Sequence, residues 1–328
     1  MTQTDLAVVI LAAGMGTRMN SKVQKILHEV GGRPMVMHVV EASRKVANHP
    51  VTLVVGEMGG HNVERLVGAN ANYVVQAEQL GTGHAALVAA DVMRGISRQV
   101  AVTYGDMPLL RPETLQKLAT MQAESGAAVV ITTVMGEATS SYGRIARDTN
   151  GNLIEIVEVA EAKQRPNSAE LLDIRELNVG VYCFDADFLW SNLSDLPLRQ
   201  ARNGVEYYLT DMIGLAVEQG KLVESVKIED VEECLGAGTR AELISVDRAF
   251  RRREINKWLA AGVTIIDPNT TYIDPEVTIG KDTIIWPNTY LRGNTTIGED
   301  CVIGPNAIIT DSKIADGSRI EMQNIHNS

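Results

Sequence analysis

The sequence is poor in cysteine, and the three cysteines it has are far apart. Cys183, Cys234 and Cys301 form no C-x-x-C pair, so neither a disulfide framework nor a structural zinc site is indicated. The apolar run from Leu6 to Ala13 is far shorter than the ~20 residues that span a bilayer. The N-terminus also lacks the basic stretch and long apolar run of a secretory signal. We therefore expect a cytoplasmic protein with no membrane partner.

Positive charge is also scarce. The chain has 30 Lys and Arg against 41 Asp and Glu, which gives a net charge of −11. This balance argues against a protein whose main activity is binding nucleic acid, although a phosphate site needs only a few local cations and backbone N–H groups. With 328 residues, 45% hydrophobic and 22% charged, the chain predicts a soluble globular protein of one large domain or two ordinary ones.

The first two thirds of the sequence alternate short apolar runs with amphipathic stretches. Such alternation predicts an α/β domain with a mostly parallel, doubly wound sheet and a ligand site at the carboxyl ends of its strands. A further helix is predicted at Tyr207–Gln219. The runs that predict strands are Leu6–Ala13, Val51–Val55, Tyr73–Val75, Val100–Tyr104, Ala128–Thr133 and Asn178–Phe184, and helical patterns lie at Met35–Lys45 and Glu113–Ser125.

The character of the sequence changes after a long predicted helix at Arg240–Ala261. Aliphatic residues then recur every six positions, with one five-residue step before Ile314: Ile273, Ile279, Ile285, Leu291, Ile297, Ile303, Ile309, Ile314 and Ile320. A six-residue period predicts a parallel β-helix of about three coils. We expect the coils to end near Ile320 and a polar tail to follow at Gln323–Ser328.

The first predicted strand runs into a glycine-rich turn, Leu11-Ala12-Ala13-Gly14-Met15-Gly16-Thr17-Arg18-Met19, with Lys25 shortly after it. Small residues after a buried strand let backbone N–H groups approach a phosphate, and Arg18 and Lys25 would add positive charge. The alternative is an ordinary turn with two surface cations. Neither a Walker loop nor the dinucleotide fingerprint is present. His28, His38 and His84 have no ligand-like spacing and are interpreted as structural.

The turn and Lys25 resemble the nucleotidyltransferases that make sugar nucleotides. The stretch Gln76 to Ala85 resembles more closely the uridylyltransferase domain of the bifunctional bacterial GlmU family, and the hexapeptide tail stands where that family carries its left-handed β-helix. Further similar motifs are Tyr104-Gly105-Asp106, Tyr142-Gly143-Arg144, Ile156-Val157-Glu158, Glu176 to Gly180 and Glu206 to Asp211. The resemblance implies a Rossmann-like nucleotide-diphospho-sugar transferase domain at 1–229, a linker with a helical arm at 230–262, and a short left-handed parallel β-helix at 263–328.

The same resemblance implies the reaction: UTP and N-acetylglucosamine 1-phosphate would give UDP-N-acetylglucosamine and pyrophosphate. It implies Mg²⁺ held by Asp106, and Arg18, Lys25 and Asp106 as catalytic residues. It also implies a homotrimer through the β-helix, and we expect the family's acetyltransferase activity to be absent from this chain. The nucleotide would be bound by Leu11, Ala12, Ala13, Gly14, Lys25, Gln76, Gly81 and Thr82, and the sugar by Tyr104, Gly105, Gly143, Glu158, Asn178 and Thr210.

Several residues depart from the family pattern. Gly238 stands where the family has the second metal ligand, an Asn, and Met15 where it usually has Lys. Gln24 replaces a Pro, which predicts a looser loop before Lys25. The other departures are Val159, Ala160 and Val205. Two alternatives remain open: a pyrophosphorylase for another sugar or base, and a weakly active or non-catalytic protein that binds sugar nucleotides.

Overall fold

The computed structural model describes residues 4–57, 59–137, 142–201 and 204–327. The chain divides into two compact units. The first comprises the residues up to Leu27 together with Val36–Gly238, and the second comprises His28–Met35 and the chain from Thr239 onward. Among the described residues, no helix is both long and apolar enough to cross a bilayer.

The first unit is built from alternating strands and helices. The strands up to residue 238 are β1 (Leu6–Ala12), β2 (Glu29–Val30), β3 (Arg33–Pro34), β4 (Val51–Gly56), β5 (Ala71–Gln76), β6 (Gln99–Tyr104), β7 (Val129–Met135), β8 (Arg144–Arg147), β9 (Leu153–Val157), β10 (Glu176–Asp185), β11 (Leu198–Ala201), β12 (Gly204–Tyr207) and β13 (Val223–Ile228). The helices are α1 (Met35–Arg44), α2 (Gly60–Val67), α3 (Thr82–Val88), α4 (Ala90–Met93), α5 (Pro112–Ser125), α6 (Val159–Ala162), α7 (Ser168–Asp173), α8 (Ala186–Asn192) and α9 (Asp211–Glu218). The short pair β2–β3 belongs to the second unit.

A central sheet in the order β13-β7-β10-β6-β1-β4-β5 organises the first unit. Strand β1 is apolar and buried along its whole length. A strand that is covered on both faces is apolar throughout rather than alternating. It pairs in parallel with β4 and β6. The predicted α/β class is confirmed, with one addition: β10 runs antiparallel to both of its neighbours, β6 and β7.

The predicted helix at Tyr207–Gln219 is wrong in its first turn. Tyr207 ends β12, whose partner is β11 in an antiparallel hairpin, and its N–H donates to the carbonyl of Leu80 at 2.8 Å. Helix α9 begins only at Asp211. Tertiary pairing overrides the helical pattern here, because pairing with Leu198 of β11 holds the backbone of Tyr207 extended.

The second unit contains a parallel β-helix that follows the long helix α10 (Arg240–Ala260). Its strands are β14 (Thr264–Ile265), β15 (Thr271–Ile273), β16 (Thr278–Ile279), β17 (Ile284–Ile285), β18 (Thr289–Arg292), β19 (Thr296–Ile297), β20 (Val302–Ile303), β21 (Ile308–Thr310), β22 (Lys313–Ile314), β23 (Arg319–Ile320) and β24 (Asn324–His326). They form three parallel sheets, β14-β17-β20-β23, β15-β18-β21-β24 and β16-β19-β22. The hexapeptide prediction is confirmed.

Aliphatic side chains stack through the interior of the β-helix. Ile273 is opposite Leu291, and Leu291 is opposite Ile309, so one face repeats after three six-residue steps. Residues at the corners carry positive φ angles, for example Asp282, Asn288 and Asn306. Asn and Asp tolerate this left-handed conformation better than other residues that carry a side chain.

The predicted polar tail is wrong over part of its length. Asn324–His326 forms strand β24, in which Ile325 is opposite Ile309. The last stacked aliphatic therefore lies beyond Ile320, after a second five-residue step. Ser328 lies outside the described residues.

Candidate active site

A cavity of about 280 Å³ lies in the first unit at the carboxyl ends of β1, β5 and β6. This is where a ligand binds in an open α/β sheet. Most of the predicted nucleotide-binding residues line it, and so do residues that were not predicted to bind. The lining comprises Leu11, Ala13, Gly14, Lys25, Ile26, Gln76, Gln79, Gly81, Thr82, Ala85, Tyr104, Asp106 and Glu206.

The glycine-rich turn is held against the loop that carries Lys25. Gly16 has a φ angle of +67°, and a Cβ atom at this position would lie 2.3 Å from Cβ of Lys25. Only glycine permits both the left-handed backbone and this close approach. The turn thereby brings Lys25 next to the backbone of the predicted phosphate loop.

Two glutamine amides anchor the main chain of the turn. Nε2 of Gln24 donates to the Ala12 carbonyl at 3.1 Å, and Nε2 of Gln79 donates to the Ala13 carbonyl at 2.8 Å. Gln24, for which a looser loop was predicted, attaches this loop to the end of β1 through its side chain. These bonds fix successive carbonyls and thus the direction of the neighbouring N–H groups.

Lys25 and Asp106 form an ion pair in the cavity. Nζ of Lys25 lies 2.6 Å from Oδ2 of Asp106, and both side chains are 20% exposed. The carbonyl of Asp106 accepts a hydrogen bond from the Ala237 N–H at 3.3 Å, so the segment Gly236–Gly238 lies beside this residue. Within the described ranges, no group of three or more His, Cys, Asp or Glu side chains is placed to hold a metal ion.

Three of the predicted nucleotide-binding residues, Gln76, Gly81 and Thr82, lie together at the start of α3. Nε2 of Gln76 lies 3.2 Å from the Gly81 carbonyl and 3.1 Å from Nδ1 of His84. Oγ1 of Thr82 accepts a hydrogen bond from the Leu209 N–H at 3.0 Å. His84 therefore orients the Gln76 amide, which agrees with its interpretation as a structural residue.

The predicted sugar-binding residues form a second group behind Tyr104. The Asn178 N–H donates to the Gly143 carbonyl at 2.9 Å, and Oγ1 of Thr210 lies 3.5 Å from Oε1 of Glu158. Burial raises the pKa of the Glu158 carboxyl, and the hydrogen bond from Thr210 opposes that rise. Burial also raises the pKa of the Tyr104 phenol further above neutral pH, and this protonated phenol can donate a hydrogen bond.

Seven predicted site residues do not line this cavity: Gly143, Glu158, Asn178 and Thr210 of the second group, and also Ala12, Gly105 and Arg18. Ala12 is buried, and Gly105 donates its N–H to the Leu11 carbonyl at 3.0 Å, so both support the cavity wall. Arg18 lies in a short 3₁₀ turn at Thr17–Met19. Its side chain is exposed and makes no hydrogen bond or ion pair within the part of the chain that the structure describes.

Sequence reasoning missed Gln79 and Glu206 as site residues. Both stand inside motifs that carried the resemblance, yet their roles depend on tertiary placement. Gln79 reaches back to the end of β1. Glu206 enters the cavity from the hairpin β11–β12, which the sequence pattern does not reveal.

Comparison with known proteins shows what this chain is similar to. Residues 8–179 match the MobA-like NTP transferase domain, and residues 276–311 match the bacterial transferase hexapeptide family. A solved structure described as UDP-glucose pyrophosphorylase complexed with UDP-glucose superimposes with a TM-score of 0.58. It is 17% identical and covers 76% of this chain and 100% of that chain, so this likeness shows the fold alone.

Curated relatives are more similar in sequence. The bifunctional protein GlmU of Pelobacter propionicus is 41% identical over 98% of this chain and 68% of its own length. That of Clostridium perfringens is 44% identical over 98% of this chain and 68% of its length. That of Exiguobacterium sibiricum is 41% identical over 98% and 70%. The chain thus spans about two thirds of these relatives, from its first strand through its β-helix, and it belongs to the GlmU family of proteins.

Proposed function

We infer that the chain is a uridylyltransferase that makes UDP-N-acetylglucosamine and pyrophosphate from UTP and N-acetylglucosamine 1-phosphate. The observation that carries this proposal is the Lys25–Asp106 pair in a cavity at the strand ends. A cation and a carboxylate side by side beneath a glycine-rich turn suit a triphosphate with its metal ion. Membership of the GlmU family, whose relatives are named bifunctional proteins, supports the choice of substrates.

The reaction needs alignment more than proton transfer. A phosphate monoester is largely ionised near neutral pH, because its second pKa is about 6, so the sugar phosphate can attack the α-phosphorus without a general base. Lys25 would neutralise charge on the triphosphate, and the backbone of Leu11 to Gly14 would orient it. Glu158 and Thr210 would hold hydroxyl groups of the sugar.

The donor set near Asp106 fits Mg²⁺. This ion prefers oxygen ligands and usually keeps several waters, so one carboxylate together with substrate phosphates can hold it. When bound, Mg²⁺ supplies charge neutralisation for the phosphates as pyrophosphate leaves. Asp106 would hold the ion, and Gly238 would contribute no side-chain ligand to it.

A pyrophosphate-release assay over a panel of nucleotides and sugar 1-phosphates tests the proposal. We expect turnover to be highest with UTP and N-acetylglucosamine 1-phosphate and to depend on Mg²⁺. A preference for another pair would support a pyrophosphorylase of different specificity. Tight binding of UDP-N-acetylglucosamine without turnover on any pair would instead support the non-catalytic binding protein.

Arg18 is expected to act on the transition state rather than on nucleotide binding. Its exposed position leaves it able to fold over a bound triphosphate, so Arg18→Ala should lower kcat about tenfold and change the KM for UTP little. The control is Arg65→Ala, which removes an exposed arginine on α2. Steady-state kinetics with both substrates measures the effect. A collapse of UTP binding with unchanged turnover would contradict this role.

Gly238 is expected to limit metal binding. An Asn at this position would offer Mg²⁺ one more oxygen ligand, a side-chain carbonyl. Gly238→Asn should therefore lower the Mg²⁺ concentration at half-maximal turnover by roughly several-fold. Gly220→Asn, at a glycine with open space around it, controls for the substitution itself. An unchanged Mg²⁺ dependence would show that residue 238 is not at the metal.

The β-helix is expected to associate into a trimer, as the family resemblance implies. A solenoid of few coils buries little surface alone, and Ile266, Trp286 and Ile308 expose 48%, 41% and 38% of their surfaces. Sedimentation equilibrium at micromolar concentration should give three times the 35.6 kDa chain mass. A monomeric mass would contradict the proposal.

A further inference from the structure

A network of five charged side chains lies beside the proposed sugar group in the first unit. It lines a second cavity of about 220 Å³ and consists of Glu155, Glu161, Arg165, Arg199 and Asp211. None of these residues was predicted from the sequence, and the proposed chemistry does not use them. Their arrangement nonetheless connects directly to two residues that would bind the sugar.

Arg165 joins a strand to a short helix. Its Nη1 and Nη2 atoms donate to the two carboxylate oxygens of Glu155 on β9, at 2.6 and 2.7 Å. Nη2 also donates to Oε1 of Glu161 on α6, at 2.8 Å. Such a bidentate guanidinium–carboxylate pair fixes orientation as well as distance.

Arg199 continues the network from the hairpin. Its Nε and Nη2 atoms donate to the two oxygens of Asp211 at 3.1 and 3.0 Å, and its Nη1 lies 3.8 Å from Oε1 of Glu161. The Asp211 side chain is only 14% exposed. Arg199 on β11 therefore connects α6 to the first residue of α9.

The two ends that Arg199 connects each carry a sugar-binding residue. Glu158 immediately precedes α6, and Thr210 immediately precedes Asp211 at the start of α9. These two side chains face each other at 3.5 Å. Fixing Asp211 relative to Glu161 thus fixes Thr210 relative to Glu158.

An arginine in this place does more than add a surface ion pair. Exposed ion pairs contribute little to stability, and Arg199 is 41% exposed. Its fork bonds Asp211 while Glu161 lies at ion-pair distance, so we expect its effect in the alignment of two elements rather than in stability. The hairpin that bears it also carries Glu206 into the nucleotide cavity. The network therefore relates the sugar side of the site to the nucleotide side.

We propose that Arg199 is a positioning residue for the sugar 1-phosphate, which holds Thr210 and Glu158 in register through Asp211 and Glu161. This inference rests on the proposed function. A displacement of about 1 Å in a substrate-positioning group can change rates by as much as ~10²-fold, so a residue that touches no substrate can still set affinity for one of the two substrates.

The test is Arg199→Met, which keeps the length of the side chain and removes its fork. The KM for N-acetylglucosamine 1-phosphate should rise about tenfold, while the KM for UTP stays within about twofold, because only the sugar side loses its alignment. Arg199→Lys should recover part of the effect, since it restores charge but not the bidentate geometry. Arg251→Met, which removes an arginine–aspartate pair in the second unit, is the matched control.

A double-mutant cycle locates the effect in the network. Asp211→Asn should raise the same KM, and the double variant Arg199→Met/Asp211→Asn should be no worse than the more severe single variant. Equal losses for both substrates, or a loss that follows the fall in thermal unfolding midpoint across all variants, would mean a purely structural role and would overturn the proposal.

A binding experiment separates this inference from the proposed function. Calorimetric titration of each variant with UDP-N-acetylglucosamine and with UTP needs no turnover. Arg199→Met should weaken the first affinity and spare the second. Wild-type protein that binds both ligands but releases no pyrophosphate would contradict only the proposed enzyme activity. A variant that binds UDP-N-acetylglucosamine as tightly as wild type would overturn the positioning role.

Discussion

Replacing Asp106 by Asn should lower kcat by about 10²–10³-fold, because the amide would hold Mg²⁺ less well, and losing one group that stabilises developing charge costs on this scale. The carboxylate is the proposed ligand of Mg²⁺ and the partner of Lys25 at 2.6 Å. The amide keeps the shape of the side chain but loses its negative charge. Pyrophosphate release at saturating substrates, measured over a range of Mg²⁺ concentrations, gives both the loss and any weakening of metal binding.

The matched control for this prediction is Asp187→Asn. Asp187 lies in the first turn of α8, where it is exposed, so the same chemical change should leave kcat unaffected. Circular dichroism of both variants checks that the fold is intact. If Asp106→Asn kept turnover within threefold of wild type, Asp106 would not be the metal ligand.

Replacing Gly16 by Ala should lower kcat by about 10²-fold, because the added methyl group would displace Lys25 from the triphosphate. The new Cβ would lie 2.3 Å from Cβ of Lys25, and the φ angle of +67° adds strain. Lys25 and its loop must move, and the Lys25–Asp106 pair moves with them. Kinetics with UTP should show the loss in both kcat and kcat/KM.

Gly126→Ala separates the two causes. Gly126 follows α5 with a φ angle of +66°, and a Cβ there would meet nothing within 4 Å. The two variants therefore share the backbone strain, and only Gly16→Ala adds the steric clash. If both variants lost the same stability and the same activity, strain alone would explain the result and the placement of Lys25 would not matter.

Periodicity in the sequence determines much of this fold. Buried strands such as β1 are uninterrupted apolar runs, and the six-residue spacing of aliphatics predicts the parallel β-helix before any coordinates are known. The wrong secondary-structure predictions lie where pairing with a distant segment of the chain determines the structure. Tyr207 lies in a pattern that also suits a helix, but it pairs with Leu198 in the β11–β12 hairpin. Ile325 alone could not indicate a strand without its partner Ile309.

The sequence predicted many residues of the candidate site but few of the contacts between their side chains. The motif resemblance named Lys25, Asp106, Glu158 and Thr210, and the structure brings Lys25 close to Asp106 and Glu158 close to Thr210. Their catalytic and binding roles stay predictions. Contacts made by long polar side chains from distant elements, such as Arg199, could not be predicted, because no local spacing specifies them.

The corners of the β-helix have a consequence for how such chains can change length during evolution. The step from Ile309 to Ile314 is one residue short, yet Ile314 is still opposite Ile297. The corner between Ile309 and Ile314, at Asp311, is one residue shorter, and the ladder continues in register. Single deletions at corners should therefore be tolerated, whereas the same deletion within a strand would turn an aliphatic side chain outward. Corners are where natural variants of this repeat should differ in length.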